Sequence, residues 1–311
     1  MSTSLRPRRT LVTIDLSGSD QPGGKEELVR KLDHFVKNEE VDRQFALGRE
    51  FYALPLKEKL KYHSARLGNG IKDNIQVYKI PKFDGHHARS HPPILTAHIK
   101  EIEAFSSKSH TEVLVRGHQY DVEGEDHLRY MHYAARGAEE NKRAAEIHTP
   151  GHTDLGSVTL LFRQPIAALQ ILNNEGQWKW VKPQDGTITI NTCDALTALT
   201  GGLIKSSIHR VRTPPADQAG IDRLGVLYFA RPNNHVVLDP IPNIPVLQRL
   251  GLTSNVFTEL GKHLTMKGWV KVRQTQQQRW RQEAQISEDG KYTYKPKDLE
   301  IMPVLLAKVY N

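Results

Sequence analysis

Two histidines and one aspartate carry the most specific chemistry in this chain: His152-Thr153-Asp154, and much later His209 in Ile208-His209-Arg210-Val211. Two neutral imidazoles and one carboxylate can cap one face of a divalent metal ion and leave the opposite face open, a ligand set suited to non-haem Fe(II). The H-x-D spacing suits a strand or strand end, where residues two apart point to the same side. With 15 histidines in the chain, such a tripeptide has little weight alone. Its surroundings give it weight, because Gly151-His152-Thr153-Asp154-Leu155-Gly156-Ser157 runs straight into the apolar strand pattern Val158-Thr159-Leu160-Leu161-Phe162.

Gly201-Gly202 and the residues after it read as a turn and then a strand that delivers His209. Downstream, Arg223 opens the β-rich run Arg223-Leu224-Gly225-Val226-Leu227-Tyr228-Phe229. An arginine at the mouth of such a strand suits a planar carboxylate held through two hydrogen bonds, which a lysine would hold less well.

Together these segments resemble the 2-oxoglutarate/Fe(II)-dependent dioxygenases of the isopenicillin N synthase-like superfamily, in particular the fungal branch. The resemblance covers most of residues 10–235. It implies that His152, Asp154 and His209 bind iron and that Arg223, in the family's Arg-x-Ser position, binds the distal carboxylate of 2-oxoglutarate. Leu128-Arg129-Tyr130-Met131-His132-Tyr133 resembles the family strand whose final tyrosine offers a hydroxyl to the co-substrate, which places Tyr133 in that role. The implied cofactors are Fe(II), 2-oxoglutarate and O2, with ascorbate as a stimulant. The implied reaction is oxidation of a small-molecule metabolite by hydroxylation, desaturation or ring closure, with release of succinate and CO2, in secondary metabolism or catabolism.

The chain also departs from the family pattern. Gly225 replaces the usual serine and so removes one hydroxyl donor, on the order of 1 kcal/mol. Met131 stands where many plant members have asparagine. Residues 33–39 look short for the family's helix end, strand and turn, with residues 35–38 as a remnant. Residues 105–120 look short for an apolar helix that backs the barrel, and they open polar at Ser106-Ser107-Lys108-Ser109-His110-Thr111. Such losses would expose apolar surface. Two alternatives therefore stay open: an impaired family member acting as a partner subunit, and an Fe(II)/O2 oxidase that does not use 2-oxoglutarate.

The elements needed to position these residues are legible in outline. Short strands over about 126–232, separated by turn signals at Asn173-Asn174-Glu175-Gly176 and Gln184-Asp185-Gly186, predict a double-stranded β-helix, or jelly roll. The fold class is mainly β with flanking helices, divided into an N-terminal helical and strand region (1–120), the jelly-roll core (121–235) and a C-terminal helical extension (236–311). Residues 10–16 read as a strand. Val41, Phe45 and Tyr52 lie on one helical stripe, and a second helix is predicted near Ile94–Phe105. Val246 to Arg281 reads as helix and connector.

Composition narrows the function classes. Lys and Arg number 43 against 35 Asp and Glu, a formal charge of +8 that favours anionic ligands. The charges are scattered rather than gathered on a face with aromatic platforms, so nucleic acid is not an expected partner. The lone Cys193 excludes an intrachain disulfide and fits a reducing compartment. Met1 to Arg9 is polar and basic, and no apolar run approaches the ~18 residues of a membrane span. A cytoplasmic enzyme acting on a small molecule is expected, with oligomerisation left open. Asp84, His86, His87 and His91 could form a second metal site, but the Gly, Pro and Ser around them fit an exposed loop better. Trp178 and Trp180 fit packing better than base stacking. Trp269 and Trp280 fit a core and a solvated basic face better than a substrate cap.

Overall fold

The computed structural model describes residues 36–62, 75–87, 89–110, 117–163, 165–259, 261–283, 298–302 and 305–308. The strand expected at residues 10–16 lies outside them, as do Asp33, His34 and Phe35.

Helix α1 (Asn38–Ala53) starts where the Glu40 carboxylate accepts the Lys37 backbone N–H at 2.8 Å, with Glu39 and Glu40 in the first turn facing the positive helix end. Of the expected remnant of a strand and turn, residues 36–38 are the lead-in and start of a helix. Val41 and Phe45 of the predicted stripe are buried, and Tyr52 donates its hydroxyl to the carbonyls of Tyr130 (2.8 Å) and Gln76 (3.0 Å). After Pro55 comes the short α2 (Leu56–Leu60), then strand β1 (Ile75–Pro81).

The helix expected near Ile94–Phe105 is split into α3 (Pro93–Thr96) and α4 (Ile99–Ser109). Thr96 closes the first piece by bonding its hydroxyl back to the carbonyls of His91 and Pro92 at 3.0 and 3.1 Å. Helix α4 then runs past Phe105 through the serine-rich stretch. Ser106 and Ser109 are fully buried, and the Ser109 hydroxyl satisfies itself on the Phe105 carbonyl at 2.7 Å. Polar composition therefore hid the last turn of this helix, because serines turned inward with their hydroxyls bonded need no water.

The body of the fold is two antiparallel sheets. Its strands are β2 (His127–Tyr133), β3 (Ile147–His152), β4 (Val158–Phe162), β5 (Leu169–Leu172), β6 (Trp178–Trp180), β7 (Ile188–Thr192), β8 (His209–Arg212) and β9 (Arg223–Ala230). The larger sheet has the order β1-β2-β9-β4-β7 and the smaller the order β3-β8-β5-β6. From β2 to β9 the chain alternates between sheets, with β5 and β6 entering the smaller one together as a hairpin. This is the expected double-stranded β-helix. Short helices α5 (Ala138–Arg143) and α6 (Asp194–Leu199) lie in the connections.

Period-two alternation divides each strand of the larger sheet. Leu128, Tyr130, Leu160, Phe162, Val226 and Tyr228 face the main core beneath α1 and α4, where Phe105 meets Phe162 with ring centroids 5.0 Å apart. The intervening Arg129, Met131, Tyr133, Thr159, Leu161, Arg223, Gly225 and Leu227 face the smaller sheet. That inner face carries the candidate site.

Beyond the sheets come α7 (Pro245–Arg249), α8 (Val256–Glu259) and α9 (Met266–Glu283), the expected helix-and-connector segment. Trp269 is fully buried and packs edge-on to Phe257 at 5.4 Å, while the side chain of Trp280 lies outside the described residues. A hairpin of β10 (Asp298–Met302) and β11 (Leu305–Lys308) follows, in a segment read from sequence as helical. Among the described residues no helix is long and apolar enough to cross a membrane.

If α4 covers the barrel as this packing indicates, Phe105→Ala should cost about 3–5 kcal/mol in urea denaturation. Leu203→Ala, at a side chain 42% exposed, should stay within about 0.5 kcal/mol. A Phe105 effect below about 1 kcal/mol would show that α4 is not a core element.

Candidate metal and co-substrate site

Strands β3 and β8 pair with His152 opposite His209. This brings the two imidazoles side by side, ring centroids 4.3 Å apart, although 57 positions separate them in the chain. Asp154 sits just after β3, where the chain leaves the smaller sheet for the larger. Its Oδ1 lies 3.7 Å from His152 Nε2 and its Oδ2 lies 3.8 Å from His209 Nε2. One ligand atom from each of the three residues falls within 4.8 Å of the others, and no other such group occurs among the described residues.

Both histidines are oriented by the same local device. His152 Nδ1–H donates to the Pro150 carbonyl at 2.8 Å, and His209 Nδ1–H donates to the Ser207 carbonyl at 3.1 Å. In each case the acceptor is two residues earlier in the chain, so each Nε2 is left with its lone pair turned toward the aspartate. Burial, followed by the neighbouring His209, pushes the His152 pKa down to about 4, so its ring is neutral at pH 7.

Asp154 is held from the larger sheet. Its Oδ2 accepts the Thr159 hydroxyl and the Asn191 amide, both at 2.9 Å, from positions paired across β4 and β7. Burial alone would raise its pKa, but His209, His152, the Thr159 hydroxyl and the charge of Arg129 outweigh that and bring it to about 2. A carboxylate and two neutral imidazoles converging with their orientations set is a donor set that fits a divalent transition metal.

A clamp from the C-terminal helix holds the loop between the ligands. Arg273 of α9 donates to Asp194 Oδ2 at 2.8 Å and to the Thr153 carbonyl at 3.0 Å, while Thr153 Oγ1 donates to the same Asp194 oxygen at 3.1 Å. Trp269 Nε1 holds the Leu155 carbonyl at 3.2 Å, and the Asp194 N–H holds the Asp154 carbonyl at 2.9 Å. The backbone on both sides of Asp154 is thus fixed by α6 and α9.

Arg223 and Tyr133 are opposite one another across β2 and β9, on the inner face. Arg223 is buried, and its guanidinium lies 4.9 Å from the Tyr133 ring centroid. Burial lowers its pKa, with the Tyr133 hydroxyl opposing that shift. Tyr133, His148, Ala168, Val211 and Arg223 line a small cavity between the sheets. Val211 lies two residues beyond His209 on β8, about 7 Å along the strand. The cavity and the His152–Asp154–His209 cluster are therefore neighbours. At Gly225, an added Cβ would meet Leu227 Cδ1 at 3.3 Å and Met131 O at 3.9 Å, so the position is tight but not closed.

The other candidates stay apart. His91 Nδ1 bonds to the Tyr78 hydroxyl at 2.8 Å, and Asp84 turns toward Lys82, whose Nζ lies 3.9 Å away. Trp178 lies under the Arg210 guanidinium at 4.1 Å, whereas Trp180 is 45% exposed. Thr159, Asn191, Asp194, Arg273 and Arg129 were not singled out from sequence. Thr159, Asn191, Asp194 and Arg129 lie in strand-like or family-like segments that give them no individual role, and Arg273 carries no local signal.

Residues 124–232 match the family described as the 2OG-Fe(II) oxygenase superfamily. That stretch, which holds the strands of the two sheets from β2 to β9, is the part of the chain similar to that superfamily. The UPF0676 protein C1494.01 of Schizosaccharomyces pombe is 26% identical over 275 residues, covering 73% of this chain and 84% of its own length. A 2-oxoglutarate-dependent dioxygenase of Aspergillus fumigatus is 29% identical over 190 residues, covering 53% of this chain and 49% of that relative. The chain thus spans about half the length of that dioxygenase. A full-length Neurospora crassa protein, solved in complex with alpha-KG, superposes with a TM-score of 0.58 at 24% identity, covering 67% of this chain and 74% of that one. That likeness concerns the fold. The family's cofactors are Fe(II), 2-oxoglutarate and O2.

His148 provides a pH test of the cavity. Burial, followed by the charges of Arg136 and Arg223, pushes its pKa down to about 4, against 6.5 in an open chain. Between these values the unfolded chain binds a proton that the folded one does not, so stability falls as pH drops from about 6.5 to about 4. His148→Gln should flatten part of that slope in metal-free protein. An unchanged slope would mean that His148 is solvated.

Proposed function

We propose that this chain is an Fe(II)- and 2-oxoglutarate-dependent oxygenase that oxidises a small-molecule metabolite, releasing succinate and CO2. The observation that carries the reading is the convergence of His152, Asp154 and His209 beside a small, partly open cavity lined by a buried arginine. Hydroxylation is the default outcome, with desaturation or ring closure as variants of the same oxidation. The fungal dioxygenases among the relatives support a place in secondary metabolism or catabolism. The scattered charge and the lone Cys193 support a cytoplasmic enzyme without a nucleic-acid partner.

Under this reading His152 Nε2, His209 Nε2 and Asp154 would hold the metal. Bound there, Fe(II) supplies the redox chemistry that couples decarboxylation of 2-oxoglutarate by O2 to oxidation of a substrate C–H bond. The protein's own task is orientation and desolvation. Thr159 and Asn191 occupy Asp154 Oδ2, so Oδ1 is the less encumbered oxygen for a ligand bond. The carbonyls of Pro150 and Ser207 prevent the imidazoles from turning. Arg223, with Tyr133 at its side, would grip the distal carboxylate of 2-oxoglutarate and so set how far the co-substrate reaches toward the metal. Leu161 and Leu227 line the inner face between these two ends, where they strengthen the electrostatic contacts by excluding water.

Asp154→Ala removes the only anionic ligand, so Mn(II) or Fe(II) binding in calorimetry and succinate formation should both be lost. Full succinate formation by that variant would sink the assignment. Arg223→Leu removes a charge-assisted contact of roughly 1.5–3 kcal/mol. It should raise the 2-oxoglutarate requirement at least about tenfold while metal affinity is unchanged. An unaltered Michaelis constant would show that the carboxylate is held elsewhere. Gly225→Ser should tighten 2-oxoglutarate binding, provided Leu227 gives way by a few tenths of an ångström.

A further inference from the structure

Arg129 is the unexplained charge on the inner face. It lies on β2, two residues from Met131 and four from Tyr133 on the same side of the strand, and opposite Leu227 of β9. Its guanidinium lies over the Phe229 ring with Cζ 3.9 Å from the centroid. The neighbouring His127 stacks on the same ring at 4.8 Å with planes 7° apart. His127 Nδ1–H donates to the Glu125 carbonyl at 2.9 Å, which leaves Nε2 to accept Arg129 Nη2 at 2.9 Å. The arginine is therefore fixed in place by a neutral ring and an apolar platform.

That bond is the one hydrogen bond the guanidinium makes among the described residues, out of the five it can donate. Its Nε is buried and has no acceptor. No carboxylate among the described residues lies in ion-pair contact with it. The buried arginines Arg231 and Arg273 differ: Arg231 pairs with Glu125 at 3.1 Å and Arg273 with Asp194 at 2.8 Å. A half-buried cation whose Nε is shut away from water is partly desolvated, and that cost is removed when a ligand brings the missing anion. Burial depresses the Arg129 pKa to about 10, which still leaves it charged at pH 7. The effect of Asp154 on that pKa places the guanidinium within electrostatic reach of the metal-ligand cluster.

Charge balance separates this cation from the co-substrate's anchor. Under the proposed function, the two charges of Fe(II) and that of Arg223 are balanced by Asp154 and dianionic 2-oxoglutarate. Arg129 is then surplus by one. We infer that Arg129, held flat against Phe229 by His127, is the subsite for the prime substrate's anionic group, and that the substrate is a small organic carboxylate. The inference rests on the oxygenase reading. Planar guanidinium edges match a carboxylate in shape and hydrogen bonding, and the inner-face position would put the rest of the substrate beside the metal.

The test uses Mn(II)-loaded protein with 2-oxoglutarate, which does not turn over, and two probes of equal shape, phenylacetate and phenylacetamide. Calorimetry on wild type should give phenylacetate at least about tenfold tighter than the amide. Arg129→Leu should abolish that preference and Arg129→Lys should retain part of it, while the 2-oxoglutarate Kd stays within about twofold in all three proteins. Equal affinity for the two probes, including no detectable binding of either, would overturn the inference. A tenfold rise in the 2-oxoglutarate Kd on Arg129→Leu would overturn it differently, by assigning the arginine to the co-substrate. Wild-type protein that prefers phenylacetate but binds no 2-oxoglutarate would refute the oxygenase reading and leave the anion subsite standing.

Discussion

One half-buried carboxylate ties the two sheets together at the candidate site. Asp154 stands where the chain crosses from one sheet to the other, with imidazoles from the smaller sheet on one side and donors from the larger sheet on the other. An ion in that position is tolerated only when its lone pairs are met. Register follows from this demand. A one-residue slip of β8 against β3 would turn His209 away, and a slip of β7 against β4 would remove Asn191. The two sheets are therefore coupled through a single side chain as well as through packing.

The helices bear on the same point from outside. Helices α1 and α4 cover the far face of the larger sheet, so its inner face can remain polar without weakening the fold. Helix α9 has a closer role, since Arg273 ties together Thr153 and Asp194 and thereby fixes the backbone that carries Asp154. The C-terminal segment is part of the site's framework, although it contributes no ligand atom.

Sequence reading reached the residues that converge at the candidate site and missed most of what supports them. His152, Asp154, His209, Arg223 and Tyr133 were legible because each sits in a short pattern of alternating strand residues with an unusual polar member. The jelly roll was legible from turn chemistry at positions such as Gly176, where φ is +74°. Arg273 was not legible, because its partners lie 79 and 120 positions away and its own helix is rich in Lys, Arg and Gln. Arg129 was visible only as part of a family-like strand. Its lack of a counter-charge is a property of three-dimensional neighbours. The region around Ser106–Ser109 misled because local polarity does not show that Ser109 bonds back to its own helix and that Ser106 accepts the Tyr120 hydroxyl.

The most direct measurement is anaerobic addition of 2-oxoglutarate to the Fe(II)-loaded protein, followed in the visible range. If His152, Asp154 and His209 hold the metal and leave room for chelation by the co-substrate, a metal-to-ligand charge-transfer band should appear and saturate at one equivalent each of iron and 2-oxoglutarate. Tight Fe(II) binding with no band at any 2-oxoglutarate concentration would contradict the account.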